Sequence, residues 1–346
     1  MKHTRAAELR DILETVAAGG SLSADRAELA FDAFMDGTAT EIQMAGILVG
    51  LRAKGITSDE LVGGVRALRK AMLSVTHDDP DSLVDTAGTG GGSVTTFNIS
   101  TAAAFVVAGA GVPVAKHGNR SFTSRSGSAD VLEALGVRID LSPDRMAAVL
   151  DEAGIVFMFA PLLHPAMRHV AAVRKGLGVT TIMNFLGPLT NPAGARRQVV
   201  GVADDRLLDL VPGALRELGH LRAIVVHGAP GMDEVSPLGP TRVSELQGGE
   251  IRSYEVSPAD LGLADVVDAV ELAGGEPSDN AAIIESVLAG EEGAPRAAVL
   301  LNAAAALLVA DRASSWSDAV ALAQRVIDDG GARRALAALK AVSNAV

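Results

Sequence analysis

Asp85-Thr-Ala-Gly-Thr-Gly-Gly-Gly92, followed by Asn98-Ile-Ser-Thr101, reads as the end of a strand, a glycine turn and the start of a helix. Glycines strip side chains from such a turn so that backbone N–H groups converge, and the helix N-terminus adds its partial positive charge. Those are the parts of a phosphate site, with Asn98, Ser100 and Thr101 supplying cap-type groups where the helix begins. The loop matches neither Gly-x-Gly-x-x-Gly nor the Walker pattern, so neither a dinucleotide site nor a mononucleotide P-loop follows from it.

Working outward, a second loop suited to anions closes the next strand candidate. It reads Lys116-His-Gly-Asn-Arg120 and continues through Ser121, Ser124 and Ser128. No Asp or Glu occurs over 86–128, although acids make up 42 of the 346 residues and that frequency predicts about five in such a window. In open α/β sheets ligands collect at the carboxyl ends of strands, where both loops fall.

The pattern before residue 80 is helical throughout. Leu9, Ile12, Leu13 and Val16 share a face that Gly19-Gly20 terminates, and a second helix is expected over 24–34. Thr38 with Glu41, and Thr57 with Glu60, have capping-box spacing and predict helices over 41–53 and 58–72. The polar stretch 77–81 is the boundary candidate. Beyond it, short apolar runs at 83–85, 112–115, 155–159, 198–202 and 223–226 alternate with helical patterns near 100–108, 128–135, 143–153, 166–176 and 206–218. That alternation predicts an α/β unit with a mostly parallel sheet. Gln247-Gly-Gly-Glu250 predicts an antiparallel hairpin, and 279–346 reads as Ala-rich helix.

Composition narrows the function classes. The chain has no cysteine, hence no disulfide, thiolate metal site or thiol nucleophile. Its first ten residues are charged and lack the apolar core of a secretory signal, and no run reaches the length of a membrane span, so a soluble cytoplasmic protein is expected. A net charge of −12 repels nucleic acid as a whole and argues against a nucleic-acid partner, so anionic substrates require positive groups focused locally. Asp233-Glu234, in the loop after the strand at 223–226, is a pair of hard oxygen donors of the kind that holds Mg²⁺ together with water and a substrate phosphate. On the helix at 166–176, Arg168 and Lys175 share a face, and Arg174 is rotated about 100° from Lys175, where a ligand carboxylate would find a bidentate partner.

The runs Gly88-Thr-Gly-Gly91, Thr96-Phe-Asn-Ile-Ser-Thr101, Lys116-His-Gly-Asn-Arg120 and Ser126-Gly-Ser-Ala-Asp130, then His164-Pro165, Arg174, Asn184-Phe-Leu-Gly-Pro-Leu-Thr-Asn-Pro192, His227-Gly228 and Asp233-Glu234, resemble the anthranilate phosphoribosyltransferases in order over nearly the whole chain. The resemblance implies transfer of the 5-phosphoribosyl group from phosphoribosyl pyrophosphate (PRPP) to the amino group of anthranilate, releasing pyrophosphate, in tryptophan biosynthesis. It implies a small N-terminal all-helical domain, 1–80 with a returning segment near 172–195, hinged to a larger α/β domain, 81–346, of the nucleoside phosphorylase and phosphoribosyltransferase type. By this likeness Gly88, Gly91, Gly92, Thr96, Asn98, Ile99, Ser100, Thr101, Lys116, His117, Gly118, Asn119, Arg120, Ser121, Ser124 and Ser128 hold PRPP, and Ser100, Asp233 and Glu234 hold Mg²⁺. Asn119, His164, Arg174, Gly187 and Pro188 line the anthranilate path, catalysis is by positioning and electrostatics with His117 available to take the amine proton, and a homodimer forms through the helical part. One departure is Gly92, where the family's loop usually has an aspartate. The same fold family implies pyrimidine nucleoside phosphorylases as an alternative, but their phosphate loops differ from 88–92. A nucleic-acid-binding homologue is the other, and it predicts a broadly basic groove, whereas 86–128 holds only three Lys or Arg.

Overall fold

The computed structural model describes residues 2–121, 125–263 and 268–345; Ser124, one of the expected ligands, lies outside them. Four helices open the chain: α1 (Lys2–Ala17), α2 (Ala24–Met35), α3 (Glu41–Lys54) and α4 (Ser58–Ala71). Leu9, Ile12 and Val16 bury one face of α1 against Phe31, Phe34, Ile47 and Leu51. The box expected at Thr57 forms, and its Glu60 does more than cap. Fully buried, Glu60 accepts N–H bonds from Thr57 and Leu22 at 2.9 Å each and pairs with Lys54 at 2.8 Å. The box expected at Thr38 does not form. Glu41 is the first helical residue, so Thr40 and Gln43 exchange the capping bonds at 3.2 and 2.9 Å, while the Thr38 hydroxyl donates to Asp36. Between α2 and α4 there is no room for side chains: a Cβ at Gly63 would lie 2.3 Å from the Ala24 carbonyl oxygen.

Past the linker come β1 (Val84–Gly88), α5 (Ile99–Gly109), β2 (Val114–Gly118), α6 (Ser128–Ala134), α7 (Pro143–Ala153), β3 (Ile155–Phe159), α8 (Ala160–Leu163), α9 (Arg168–Leu177), α10 (Met183–Leu186), β4 (Arg197–Gly201), α11 (Leu207–Glu217) and β5 (Arg222–Gly228). A hairpin of β6 (Thr241–Gln247) and β7 (Glu250–Val256) follows, then α12 (Pro277–Leu288), α13 (Ala294–Val309), α14 (Trp316–Asp328) and α15 (Gly331–Asn344). The sheet order is β3-β2-β1-β4-β5-β6-β7, parallel from β3 to β5 and antiparallel thereafter. Three strands extend beyond their expected ends, β5 by taking in His227 and Gly228, and two of them carry expected site residues. β1 runs on through Thr86 to Gly88, and β2 takes in Lys116, His117 and Gly118, which the sequence reading put in a loop. In both cases an apolar run gives way to polar residues that remain in ladder register at the sheet's carboxyl edge.

Alternation along β4 and β5 feeds two separate cores. Val199, Ile224 and Val226 face α5 and α13, whereas Val200, Ala223 and Val225 face α11 and the N-terminal helices. Apolar all round, α13 is buried along its length, as such a helix must be. Val170, Val173, Ile182, Met183 and Leu186 of α9 and α10 join the core of the N-terminal helices. Among the described residues no helix is long and apolar enough to cross a membrane.

The capping geometry at α3 gives a direct check. Thr40→Ala is expected to lower stability by about 1 kcal/mol in denaturant unfolding, the usual cost of an N-cap hydroxyl, and Thr38→Ala by clearly less; equal losses would contradict the observed cap.

Candidate functional site

Strand order reverses between β1 and β4, and a crevice opens at that switch point. Gly88 and Gly201 are register partners at its lip. A turn after β5, closed by Gly228 and Met232, swings Asp233 and Glu234 back over it. The fit depends on the absence of side chains: a Cβ at Gly201 would lie 1.7 Å from the Asp233 carbonyl oxygen, and one at Gly88 would lie 2.8 Å from Asp233 Oδ2. Gly90 and Gly91 have φ of 69° and 80°, left-handed values that favour glycine, and the Gly90 N–H donates to Asp233 Oδ2 at 2.8 Å. The loop stays against the turn through the Ser93 N–H, which donates to the Gly231 carbonyl at 2.9 Å.

Behind the loop lies a group of charges. The Lys116 ammonium, on β2, is turned inward and donates to the Thr86 carbonyl and hydroxyl and to Ser100 Oγ, the last at 3.3 Å. Burial pushes its pKa down, and the charges of Asp85 and Glu234 oppose that. Glu234 lies partly buried near it; loss of solvent and then the neighbouring Asp233 push its carboxyl up to about 8, while Lys116 and the Ser100 N–H pull the other way. Asp233 is raised too, chiefly by burial. The Ser100 N–H opens α5, where Asn98 was expected to cap. Asn98 makes no capping bond, and Glu234 accepts there instead.

The Asn98 side chain ties neighbouring loops together. Its Nδ2 donates to the Ser126 carbonyl at 3.2 Å, and its Oδ1 accepts from Asn280 Nδ2 of α12 at 2.9 Å. Asn280 escaped the sequence reading, because it follows Ser278 and Asp279 in the first turn of α12 and nothing there sets it apart. Phe97 is fixed by the same C-terminal region, its N–H donating to the Leu272 carbonyl at 2.9 Å. In the loop after β2, Asn119 accepts the Arg120 N–H at 2.7 Å, and Ser128 Oγ donates to the Asn119 carbonyl at 3.2 Å. Arg120 itself lies over the Phe159 ring and pairs with Asp130 and Glu133 at 2.5 and 2.7 Å. The positive focus expected of the acid-free window is therefore largely taken up, Arg120 by acids just beyond the window and Lys116 by its bonds to Thr86 and Ser100. What the loops still offer an anion is mainly backbone N–H groups and hydroxyls.

A second group of residues meets at His117. Its Nε2 lies 3.2 Å from His164 Nε2, and its other ring nitrogen meets the Gly187 carbonyl. With both rings neutral, one Nε2 donates and the other accepts, the tautomers deciding which. Burial keeps both rings neutral, pushing His117 to about 3 and His164 to about 4. Arg174, on α9, is half-buried with no hydrogen bond or ion pair among the described residues, and burial alone pulls its pKa down. Arg168 and Lys175 are exposed, on the other face of that helix.

Comparison with known proteins agrees with this division. Residues 10–72 match the glycosyl transferase family helical bundle domain, and residues 80–333 match the glycosyl transferase family a/b domain. The chain is 50% identical over 337 residues to the anthranilate phosphoribosyltransferase of Bradyrhizobium diazoefficiens, covering 97% of this chain and 99% of that one. The crystal structure of the enzyme of that name from Thermus thermophilus superposes with a TM-score of 0.91 at 42% identity, over 97% of this chain and 100% of that chain. The Saccharomyces cerevisiae enzyme in complex with PRPP and Mg superposes with a TM-score of 0.87 at 25% identity, over 98% and 99% of the two chains.

The two neutral imidazoles set a pH dependence. Their pKa values in the fold, about 3 and about 4, lie below the usual 6.5, so the folded state refuses protons that the unfolded chain accepts. Stability from this source is complete above about pH 6.5 and falls as pH drops toward 4, by at most about 1.4 kcal/mol per histidine per pH unit. The His117→Gln/His164→Gln variant is expected to lose less stability than the parent between pH 6.5 and 4.5 in denaturant titrations; parallel curves would refute the assignment.

Proposed function

The chain belongs to the anthranilate phosphoribosyltransferase family, and from that premise we infer that its cleft joins PRPP to the amino group of anthranilate, releasing pyrophosphate, in tryptophan biosynthesis. The observation that carries the reading of the site is the meeting of the 88–92 glycine loop with Asp233-Glu234 over the β1/β4 switch point. That meeting puts N–H donors for phosphate next to carboxylates for a cation.

PRPP lies along the glycine loop and the start of α5. Gly88, Gly91, Gly92, Thr96, Asn98, Ile99, Ser100 and Thr101 form one wall, and Lys116 to Ser121 with Ser128 form the other. Lys116 acts on the pyrophosphate by its field from beneath the loop, because its ammonium is taken up by Thr86 and Ser100. Arg120 shapes the second wall through its ion pairs.

The donor set fits Mg²⁺. Two adjacent carboxylates are partly buried with like charges opposed, and no cluster of three or more His, Cys, Asp or Glu surrounds them among the described residues. An ion held there keeps most positions for water and phosphate oxygen, as Mg²⁺ prefers. When bound it supplies charge stabilisation for the departing pyrophosphate. Asp233 and Glu234 hold it, with Ser100 Oγ alongside.

Anthranilate enters past His164, Arg174, Asn119 and Gly187-Pro188, with the free guanidinium of Arg174 meeting its carboxylate. The aromatic amine is neutral near pH 7 and needs no base to attack. His117 serves as a fixed neutral ring rather than a free base, since its Nε2 is engaged by His164. Orientation of two substrates in a dry cleft is the larger part of the rate, worth about 7–11 kcal/mol in well-aligned systems. The enzyme acts in the cytoplasm, as its cysteine-free composition suits. It works as a homodimer through the helical part, where Ile42 and Val49, seven residues apart on α3, are 84% and 43% exposed.

Loss of anthranilate fluorescence on mixing the protein with Mg²⁺, PRPP and anthranilate tests the reaction; no turnover would overturn it. Arg174→Ala is expected to raise the anthranilate KM about tenfold or more, the scale of one charge-assisted pair, while leaving the PRPP KM nearly unchanged. Equal rises in both would remove the carboxylate from Arg174. In Mg²⁺ titrations of activity, Asp233→Asn with Glu234→Gln is expected to move the midpoint upward by about tenfold or more. An unmoved midpoint would place the metal elsewhere.

A further inference from the structure

Asp85, on β1 just before Thr86, is fully buried and has no ion pair among the described residues. Three N–H donors hold its carboxylate: the His117 backbone at 3.2 Å on Oδ1, and Asn191 Nδ2 at 2.8 Å and Gln198 Nε2 at 3.1 Å on Oδ2. A carboxylate can only accept, so both amides must present nitrogen to it. Their remaining groups are then committed. Gln198, the register partner of Asp85 on β4, gives its second proton to the Pro188 carbonyl at 3.0 Å and turns Oε1 to His220. Asn191 gives its second proton to the Ala115 carbonyl at 2.8 Å and accepts the Ala193 N–H at 2.9 Å.

The segment these amides grip is the wall opposite His117. Its carbonyls are held in succession: Gly187 by His117 and Thr190, Pro188 by Gln198, and Leu189 by Arg69. Of these, the Pro188 bond leads back to the charge on β1. We propose that Asp85 is a positioning residue for the transfer, orienting Gln198 and Asn191 so that the 187–191 wall keeps one conformation facing the strand of Lys116 and His117. The proposal rests on the reading of Gly187-Pro188 as part of the anthranilate path. Asp85 touches neither substrate, and it acts through two amides whose direction a neutral side chain would not set.

Asp85→Asn keeps one acceptor oxygen, so its nitrogen faces either the His117 N–H or the amides of Asn191 and Gln198; either way the set of donors around position 85 is no longer matched, and Gln198 loses the charge that orients it toward Pro188. Gln198→Leu cuts the same path one link later and leaves Asp85 with His117 and Asn191. In steady-state kinetics of the full chain with Mg²⁺, each is expected to raise the anthranilate KM about tenfold, the scale of one hydrogen bond in the wall. The double variant is expected to stay near tenfold rather than ~100-fold, because residues acting in series do not add. The PRPP KM of Gln198→Leu should move less than about threefold, since that change leaves the donor loops untouched. A merely structural Asp85 would lower Tm and the active fraction and leave the ratio of the two KM values unchanged; that result, or multiplicative single effects, overturns the proposal. Should Asp85→Asn fail to fold, Gln198→Leu decides alone, and an anthranilate KM within about twofold of the parent, too small for a lost hydrogen bond, overturns it. Arg174→Ala run alongside separates two failures. A rise there without one in Gln198→Leu sinks only the role of Asp85, whereas no rise in either sinks the acceptor path as well.

Discussion

Three carboxylates, Asp85 fully buried and Asp233 and Glu234 partly buried, gather around one buried ammonium, Lys116, and the architecture of the cleft follows from how that imbalance is met. An ion taken out of water without partners costs several kcal/mol, so each group must find donors or give up its charge. Asp85 finds three N–H groups, which with Lys116 oppose the upward push of burial on its pKa; Asp233 finds the Gly90 N–H; Glu234 finds the Ser100 N–H at a helix start. The two groups that face the crevice are the less well satisfied. A divalent cation arriving with an anionic substrate removes the repulsion between Asp233 and Glu234, so cation and phosphate each make the other's site more favourable.

That concentration of charge is possible because the sheet separates two dry cores. β4 and β5 alternate their side chains into the helices on either face, and the polar residues are left to the strand ends and the lip between β1 and β4. Glycine at both lip positions lets the turn from β5 settle onto the crevice. The helical part meets the sheet through α11, and α9 and α10 carry the chain back into it. Arg174 on α9 and the 187–191 wall thus lie on the segment shared with the N-terminal helices, whereas Lys116 and the glycine loop belong to the sheet. The two walls of the crevice belong to different cores, an arrangement suited to closing a cleft.

Local signals were legible wherever the physics is local. The helix at 143–153 and the strand at 155–159 were read to the residue because Ser142 caps, Pro143 takes the first helical position, and Gly154 ends the helix with φ of 69°. The glycine loop was legible as a strand-to-helix turn for the same reason. Readings failed where a distant partner decides. Asn98 has cap chemistry, yet Glu234, far along the chain, takes the Ser100 N–H, and the amide goes to Ser126 and Asn280. Thr38 and Thr40 both have the spacing for a cap, and only the helix register chooses. β1 and β2 were ended too early because hydrophobicity stops at Asp85 and Ala115, whereas pairing with β4 and β3 continues. Gln198 and Asn191 carried no visible signal, since a buried amide is distinguished only by the charge it faces.

Gly92 belongs with this group of charges. A side chain there would start 3.0 Å from Asp233 Oδ1, so the acid usual at this place in the family would set another negative group against a carboxylate that burial already holds above its ordinary range. In this chain the position adds no charge. The Gly90 N–H and the turn at Gly231 carry Asp233 without opposition, and the loop keeps its fit to the turn through Ser93. Asp233 and Glu234 are then the carboxylates left at this edge of the crevice. Burial raises both, and the charge of Asp233 raises Glu234 further.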